Sequence, residues 1–277
     1  MADDDSLSGT GTPDSSDGFV AILVAAFALL RRRPIAAVPF VLAGCLGGAS
    51  TVARLESAYP VGVAPFPDDG LVHVSVPVVP VLEPVVEIGP AALLGLKSRF
   101  FAFLVGWQLS IALLTAVAFA IAVWTLAREP GGIVPPLSRI GWLFAYTVVV
   151  QLGVFAVTAA VAVWARGEFG AVLLVFGFVV VPAGVALFLA PAYIVLEGAG
   201  PLTASRCSLA ATGGRPVSIA GLLLGLGSLG YVLTGVGQIV PSSSLAVAVG
   251  TVVSVGIAGT VHAAVVVAAH RDIDRPS

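Results

Sequence analysis

The chain has 277 residues and a formal net charge of −2, with 58% hydrophobic and only 10% charged residues. An average soluble domain carries about 25% charged residues, so this composition excludes a water-soluble protein. The longest run of basic residues is three arginines, which excludes the basic tract of a typical nucleic-acid-binding protein, and nucleic acid is not an expected partner.

The N-terminal region precedes the first long apolar run. Residues 1–17 combine Asp, Ser, Gly and Thr with almost no large apolar side chain, which predicts a disordered acidic tail and not a signal peptide. Residues 19–30 are apolar but too short to cross a bilayer, and an Arg-Arg-Arg-Pro sequence follows at 31–34. We expect this segment to lie in the cytoplasmic interface. The alternative is one long, kinked hairpin over residues 18–53.

Six long apolar runs follow, separated by short polar breaks. A helix that rises about 1.5 Å per residue needs roughly 20 residues to cross a hydrocarbon core of about 30 Å, and every run is long enough to span. The runs show no period-two alternation, which favours helices over barrel strands. The sequence therefore predicts an all-α polytopic bundle over residues 18–269, a tail at 270–277, and spans at 35–53, 100–127, 140–165, 171–196, 217–240 and 245–269.

The connection at residues 54–98 is the only sizeable one, and its seven prolines forbid a continuous helix over most of it. Residues 72–76 alternate apolar and polar side chains, which is compatible with a short external hairpin. Glu83 and Glu87 could form a metal site with His73, but a proline separates the glutamates and no second histidine is near. We expect solvated loop carboxylates and no metal.

The fourth span contains Pro182 and Pro191, each of which removes a backbone donor. This helix is expected to bend near its middle, and neighbouring helices are expected to cover the carbonyls that the prolines leave free.

After this span, residues 200–213 predict an interfacial helix of about three turns on the cytoplasmic side, which Pro201 can start and Gly213 can end. Glu197 closes the span just before this helix. We expect Glu197 to pair with Arg206 or Arg215 and so to fix the turn between the two helices.

Glycines are frequent in the fifth span, and their spacing lets another helix approach closely at Gly221, Gly225, Gly227 and Gly230. We expect this span to sit centrally or to form a dimer face. The same letters match the G-x-G-x-x-G dinucleotide fingerprint, but that motif requires a strand before it and a helix after it. No cofactor is therefore expected.

The polar residues of the spans include no acid or lysine at mid-membrane depth. Ser228 on the fifth span and His262 on the sixth suggest comparison with a rhomboid protease, but Leu226 occupies the position of the required glycine. No acid is placed to orient the imidazole, so we expect no catalytic residue. His262 is instead expected to form an interhelical hydrogen bond, and Ser228 to be a small packing residue.

The basic residues indicate the orientation in the membrane. With the N-terminus inside, nine of the 13 basic residues are cytoplasmic and four are external, as the positive-inside rule requires. The external ones are Arg54, Lys97, Arg99 and Arg166. We therefore expect a multi-pass protein of the cell membrane with both termini in the cytoplasm.

The region from the fourth span to the next resembles a signature of the YciC-like proteins and of the membrane domain attached to some glycerophosphodiester phosphodiesterases. In that signature a proline-containing span ends in a glutamate, and a short helix with the pattern Ala-x-x-x-Ser and a glycine follow. The matching residues are Pro191, Glu197, Ala204, Ser208 and Gly213. The short N-terminal helix before Arg33 and Pro34 also matches, whereas the long proline-rich connection departs from the family.

The resemblance implies a polytopic membrane protein without catalysis, because the activity of the fused members resides in a soluble barrel domain absent from this sequence. Our first hypothesis is an envelope-organising or partner-binding protein that contacts the bilayer and a second copy or another membrane protein. The alternative is a translocator of a small solute or lipid, because a broken helix can expose carbonyls to a binding cavity. A water-accessible cavity reaching Gln151 or Gln238 would favour the alternative, and a densely packed core the first hypothesis.

Overall fold

The structure, a computed structural model, describes residues 15–57, 62–63, 76–84, 86–87, 96–128, 134–164, 169–240 and 243–273. Six helical segments in these ranges are long and apolar enough to cross a membrane. They are spans 1 to 6, at Pro34–Leu55, Ser98–Ala127, Leu137–Val161, Val172–Glu197, Pro216–Ile239 and Ser244–Ile273. The predicted all-α, multi-pass bundle is confirmed.

Spans 1 to 3 are regular helices. Span 1 joins a 3-10 turn (Pro34–Ala37) to α2 (Val38–Leu55), span 2 is α3 (Ser98–Ala127), and span 3 lies within α4 (Leu137–Trp164). Between spans 1 and 2, β1 (Gly62–Val63) pairs antiparallel with β2 (Val86–Glu87). The predicted alternation at residues 72–75 lies outside the described residues.

Spans 4 to 6 contain irregular turns. Span 4 runs through α5 (Phe169–Val175), a π turn (Phe176–Val180), α6 (Val181–Leu187), α7 (Ala190–Ala192) and a second π turn (Tyr193–Glu197). α8 (Pro201–Thr212) follows, then span 5 with α9 (Pro216–Thr234) and a 3-10 turn (Gly235–Ile239). Span 6 comprises α10 (Ser243–Ser254), a π turn (Val255–Gly259) and α11 (Thr260–Ile273). The last helix thus continues into the predicted C-terminal tail.

The N-terminal helix α1 (Ser15–Arg32) lies across one end of the bundle. A Cβ at Gly18 would lie 3.8 Å from Ser218 at the start of span 5. Just after the other end of α1, Arg33 Nη1 donates to Thr125 O at the end of span 2 over 2.7 Å. This course agrees with the predicted interfacial helix and not with the hairpin. The helix also begins inside the predicted tail, of which residues 1–14 lie outside the described part.

Spans 2 and 6 form the centre of the bundle. Within their most apolar windows 61% and 72% of the residues are buried, against 33% for span 5. Span 5 is therefore less central than spans 2 and 6, and the alternative that it forms a dimer face stays a prediction. Span 1 packs closely on α10, because the glycines at 44 and 48 let the two backbones approach. A Cβ at Gly48 would lie 3.0 Å from Ala248 O.

Polar contacts join span ends on one face of the bundle, which we call the arginine face. Besides the Arg33 bond, Arg139 at the start of span 3 donates to Leu196 O at the end of span 4 over 2.7 Å. Arg215 before span 5 pairs with Asp272 at the end of span 6. We call the opposite end the loop face, because the connection between spans 1 and 2 starts and finishes there.

Candidate functional site

The segment at residues 76–84, which we call the inserted segment, enters the bundle from the loop face. Val78, Val79 and Leu82 within it are buried. The carbonyl of Leu82 lies 2.6 Å from where a Cβ at Gly47 would be, so only a glycine fits there. Val76 packs in the same way on Gly184, twelve residues into span 4. At about 1.5 Å per residue, this contact lies about 18 Å from the start of that span.

A buried ion pair links the inserted segment to span 1. Arg54 Nη2 lies 3.1 Å from Glu83 Oε2, and the two side chains are 3% and 6% exposed. Ser50 donates to Glu83 Oε1, and Trp107 Nε1 donates to Ser50 Oγ over 2.7 Å. The Arg54 guanidinium also lies 5.1 Å from the centre of the Trp107 ring. The prediction that Glu83 is a solvated loop carboxylate is therefore wrong.

The surroundings of this ion pair only partly compensate the two side chains for the hydration that they lose on burial. Burial raises the pKa of Glu83, because the loss of hydration outweighs the opposing effects of the Ser50 hydroxyl and the Arg54 guanidinium. Within the described residues, Nε and Nη1 of Arg54 are buried without a hydrogen-bond partner. A buried pair with such gaps gives little net stability, but it positions its two chain segments closely.

A cavity of about 190 Å³ lies between the inserted segment and spans 5 and 6. Its polar lining consists of Glu83, Tyr231, Ser254 and His262. Its remaining walls are apolar or backbone, from Pro77, Pro80, Val81, Pro84, Leu226, Gly227, Gly230, Val255, Ala258 and Gly259. The π turn of span 6 contributes to this wall, and such turns are frequent at functional sites.

The imidazole of His262 is held rigidly beside the cavity. It stacks on Phe188 with ring centres 5.8 Å apart and meets the edge of Phe119 at 5.4 Å. The residue is 2% exposed, and its Nε2 has no hydrogen-bond partner among the described residues. The predicted interhelical hydrogen bond is therefore not formed at this nitrogen. Ser228 is exposed and is not part of the cavity lining, so the structure does not assemble a Ser-His pair there.

Irregular turns interrupt span 4, where a bend was predicted, and neighbouring elements satisfy the backbone groups that the interruption leaves free. Pro191 has no N–H for the carbonyl of Leu187, and Tyr146 Oη on span 3 donates to that carbonyl over 2.9 Å. On the other side of the break, the Leu189 N–H donates to Ser208 Oγ over 3.0 Å. Pro182 follows directly after the first π turn, so both prolines mark irregular turns.

The Ala-x-x-x-Ser pattern has a structural role at this break. Ala204 and Ser208 lie one turn apart on α8, and both are completely buried. α8 begins at Pro201 and ends before Gly213, close to the predicted limits of 200 and 213. The alanine lets α8 approach span 4 and the serine hydroxyl replaces a missing backbone acceptor.

The predicted partners of Glu197 are not observed. Glu197 Oε1 lies 3.0 Å from His270 Nε2 at the end of span 6, whereas Arg215 pairs with Asp272. The turn between span 4 and α8 is made instead by Gly198, whose φ of 78° is readily adopted only by glycine. The structure gives Arg206 no role in this turn, and its predicted pairing with Glu197 is wrong.

Arginines on the arginine face satisfy the last carbonyls of two spans. Arg139 Nη1 donates to Val195 O over 2.6 Å as well as to Leu196 O. Arg271 Nη2 donates to Ala127 O over 2.6 Å, two residues after the carbonyl that Arg33 contacts. Carbonyls at a helix C-terminus have no intrahelical partner and attract positive charge.

The four glycines predicted in span 5 have different surroundings. Gly221 contacts Phe19 of α1, and Gly230 contacts Ala258 and accepts a hydrogen bond at its carbonyl from Ser254 Oγ over 2.7 Å. Gly227 is buried in the cavity wall, whereas a Cβ at Gly225 would meet nothing within 4 Å.

Other glycines make closer contacts than these four: Gly237 of span 5 packs directly on the backbone of Ala246 in α10, and Gly44 and Gly48 of span 1 also pack on α10. The i, i+4 spacing of Gly44 and Gly48 is the sequence pattern that indicates close helix packing.

Within the described residues, no three His, Cys, Asp or Glu side chains group as metal ligands, and His73 lies outside those residues. Comparisons with protein-family models, curated proteins and solved structures give no match to this chain.

Proposed function

We propose that this chain is a multi-pass protein of the cell membrane with the arginine face in the cytoplasm. Both ends of the described chain, α1 and α11, lie at this face, as do Arg33, Arg139 and Arg271. The positive-inside rule favours the cytoplasm for such a face. We also propose that the chain is related to the YciC-like proteins. The packing of Ala204 and Ser208 on the span 4 break supports this, because it gives the Ala-x-x-x-Ser pattern a structural role.

Within the membrane, we propose a non-catalytic role in which the chain binds a second copy or another membrane protein and supports envelope organisation. One observation carries this proposal: the polar side chains of Tyr146, Ser208 and Arg139 all satisfy backbone groups of span 4. Side chains used in this way stabilise the bundle, which is what a scaffold requires. Span 3 offers the docking surface, since only 11% of its apolar window is buried.

Photo-crosslinking in cell membranes tests this role. A photoreactive residue at Val149, which is 66% exposed on span 3, should give a discrete protein adduct. Co-expression of two differently tagged copies then identifies a homo-oligomer by its mixed tags, and mass spectrometry identifies any other partner. The matched control carries the photoreactive residue at Leu42, which is 61% exposed on span 1, and should react with lipid alone. Lipid adducts alone from both positions would overturn the proposed docking.

A second candidate is translocation of a small solute or lipid, which the cavity, the buried carboxylate of Glu83 and the broken span 4 favour. The cavity lining does not include Gln151 or Gln238, and the core around spans 2 and 6 is dense. For this reason we prefer the scaffold. Solute flux into proteoliposomes distinguishes the two, because the scaffold predicts the same flux as protein-free liposomes, and flux clearly above that level would support translocation.

A further inference from the structure

We propose that the cavity beside the inserted segment binds a small uncharged ring compound that carries one hydroxyl or carbonyl group. This inference is independent of the scaffold role, because it concerns the interior of one copy. Four observations carry it: the size of the cavity, its charge balance, the shape of its walls and the unpartnered nitrogen of His262.

The size of the cavity suits a single ring. A buried apolar cavity of about 150 Å³ is known to hold benzene. The cavity here measures about 190 Å³, which adds room for one polar substituent. Larger ligands such as a full nucleotide would require the walls to move.

The charge balance excludes an ion. Glu83 is the carboxylate of the lining, and Arg54 already lies 3.1 Å from it. A second charge would lose part of its hydration in this partly enclosed site without gaining a counter-charge, which is unfavourable. An uncharged ligand has no such cost.

The walls are mostly apolar and are built largely from small or rigid residues. Proline rings at 77, 80 and 84 cover one side, and the backbone of Gly227, Gly230 and Gly259 covers part of the other. Surfaces without long side chains favour a planar ring, which can make close contact on both faces. The π turn at Val255–Gly259 shapes this wall.

The polar group of the ligand would meet His262. Its Nε2 is buried and has no partner in the described structure, and leaving such a group unpaired is costly. Phe119 and Phe188 fix the imidazole plane, so the nitrogen cannot easily turn away. This nitrogen has no open surface in the structure, so the cavity wall must shift slightly before a hydroxyl or carbonyl oxygen on the ring completes the missing hydrogen bond.

Nuclear magnetic resonance of the full chain in nanodiscs tests this inference. The chain has three histidines, so imidazole ¹⁵N labelling gives few signals, and His262→Phe assigns one of them. Phenol should shift the His262 signal saturably and leave the His270 signal unchanged, after subtraction of binding to empty nanodiscs. Benzene should half-saturate the site at about fivefold higher concentration, the ratio expected for one neutral hydrogen bond.

Two variants complete the test. In His262→Phe an aromatic ring still stacks at this position, so benzene binding should persist and the preference for phenol should disappear. Because this variant lacks the imidazole signal, binding is followed through the NMR relaxation of the ligand. Ala258→Phe should fill the cavity and abolish binding of both compounds. Equal phenol preference in wild type and His262→Phe, or no saturable shift with either compound, would overturn the proposal. Mass spectrometry of an organic extract then shows whether the natural ring compound arrives with the lipids or from the aqueous phase.

Discussion

Replacing Glu83 by Gln should destabilise the bundle strongly, because the guanidinium of Arg54 then stays buried without a counter-charge. The charged atoms lie 3.1 Å apart. At an effective dielectric constant of about 20, two unit charges at this distance attract each other by about 5 kcal/mol. Removing one partner of a buried pair typically costs about 3–5 kcal/mol. We therefore expect a loss of about 3–5 kcal/mol in the free energy of unfolding.

The assay is reversible unfolding in mixed micelles, followed by circular dichroism as the fraction of denaturing detergent rises. Glu56→Gln is the matched control, since it makes the same chemical change on an exposed side chain of the loop face, and its effect should stay within about 0.5 kcal/mol. Removing both charges in Arg54→Met with Glu83→Leu should recover most of the loss. A Glu83→Gln loss below about 1 kcal/mol, no larger than that of the control, would refute the buried pair.

Three further predictions use the same unfolding assay. Tyr146→Phe should lower the free energy of unfolding by about 1–2 kcal/mol, because the Leu187 carbonyl loses its donor. The loss should be smaller in a Pro191→Ala background, where the alanine N–H can donate to that carbonyl, and equal losses in both backgrounds would contradict this assignment. Ser208→Ala should cost about 1–2 kcal/mol by leaving a buried N–H unpaired, whereas Ser205→Ala, whose hydroxyl bonds within its own helix, should be nearly neutral. Gly48→Leu should separate span 1 from α10 and lower the folded yield, and an unchanged yield would argue against that contact.

The six spans could be predicted from the sequence because lipid forces each apolar run of about 20 residues into a helix. The break in span 4 was equally accessible, since Pro191 removes an N–H wherever the helix packs. The partners at that break were not accessible. Tyr146 lies 45 residues before Pro191 and Ser208 lies on the next helix, and only the packing of span 3 and α8 shows which side chains reach the break.

The inserted segment shows the limit of the sequence reasoning. Its prolines indicate an irregular connection, and an irregular connection is normally expected in water. The signal that was missed is composition: residues 76–84 contain one charged residue, Glu83, among valines, prolines and a leucine. The spans carry acids only at their ends on the arginine face, at Glu197 and Asp272. The inserted segment brings a further carboxylate into the bundle beside Arg54, which the positive-inside count had placed outside.

The position of the inserted segment has a consequence for biosynthesis. The segment leaves the ribosome before spans 2 to 6, yet it rests on Gly184 of span 4 and on the cavity walls of spans 5 and 6. The first hairpin of the nascent chain therefore cannot reach its final state on its own. Its ionic pair stays incompletely shielded until the last helix has been inserted, so the C-terminal half of the chain completes a site that the N-terminal half began.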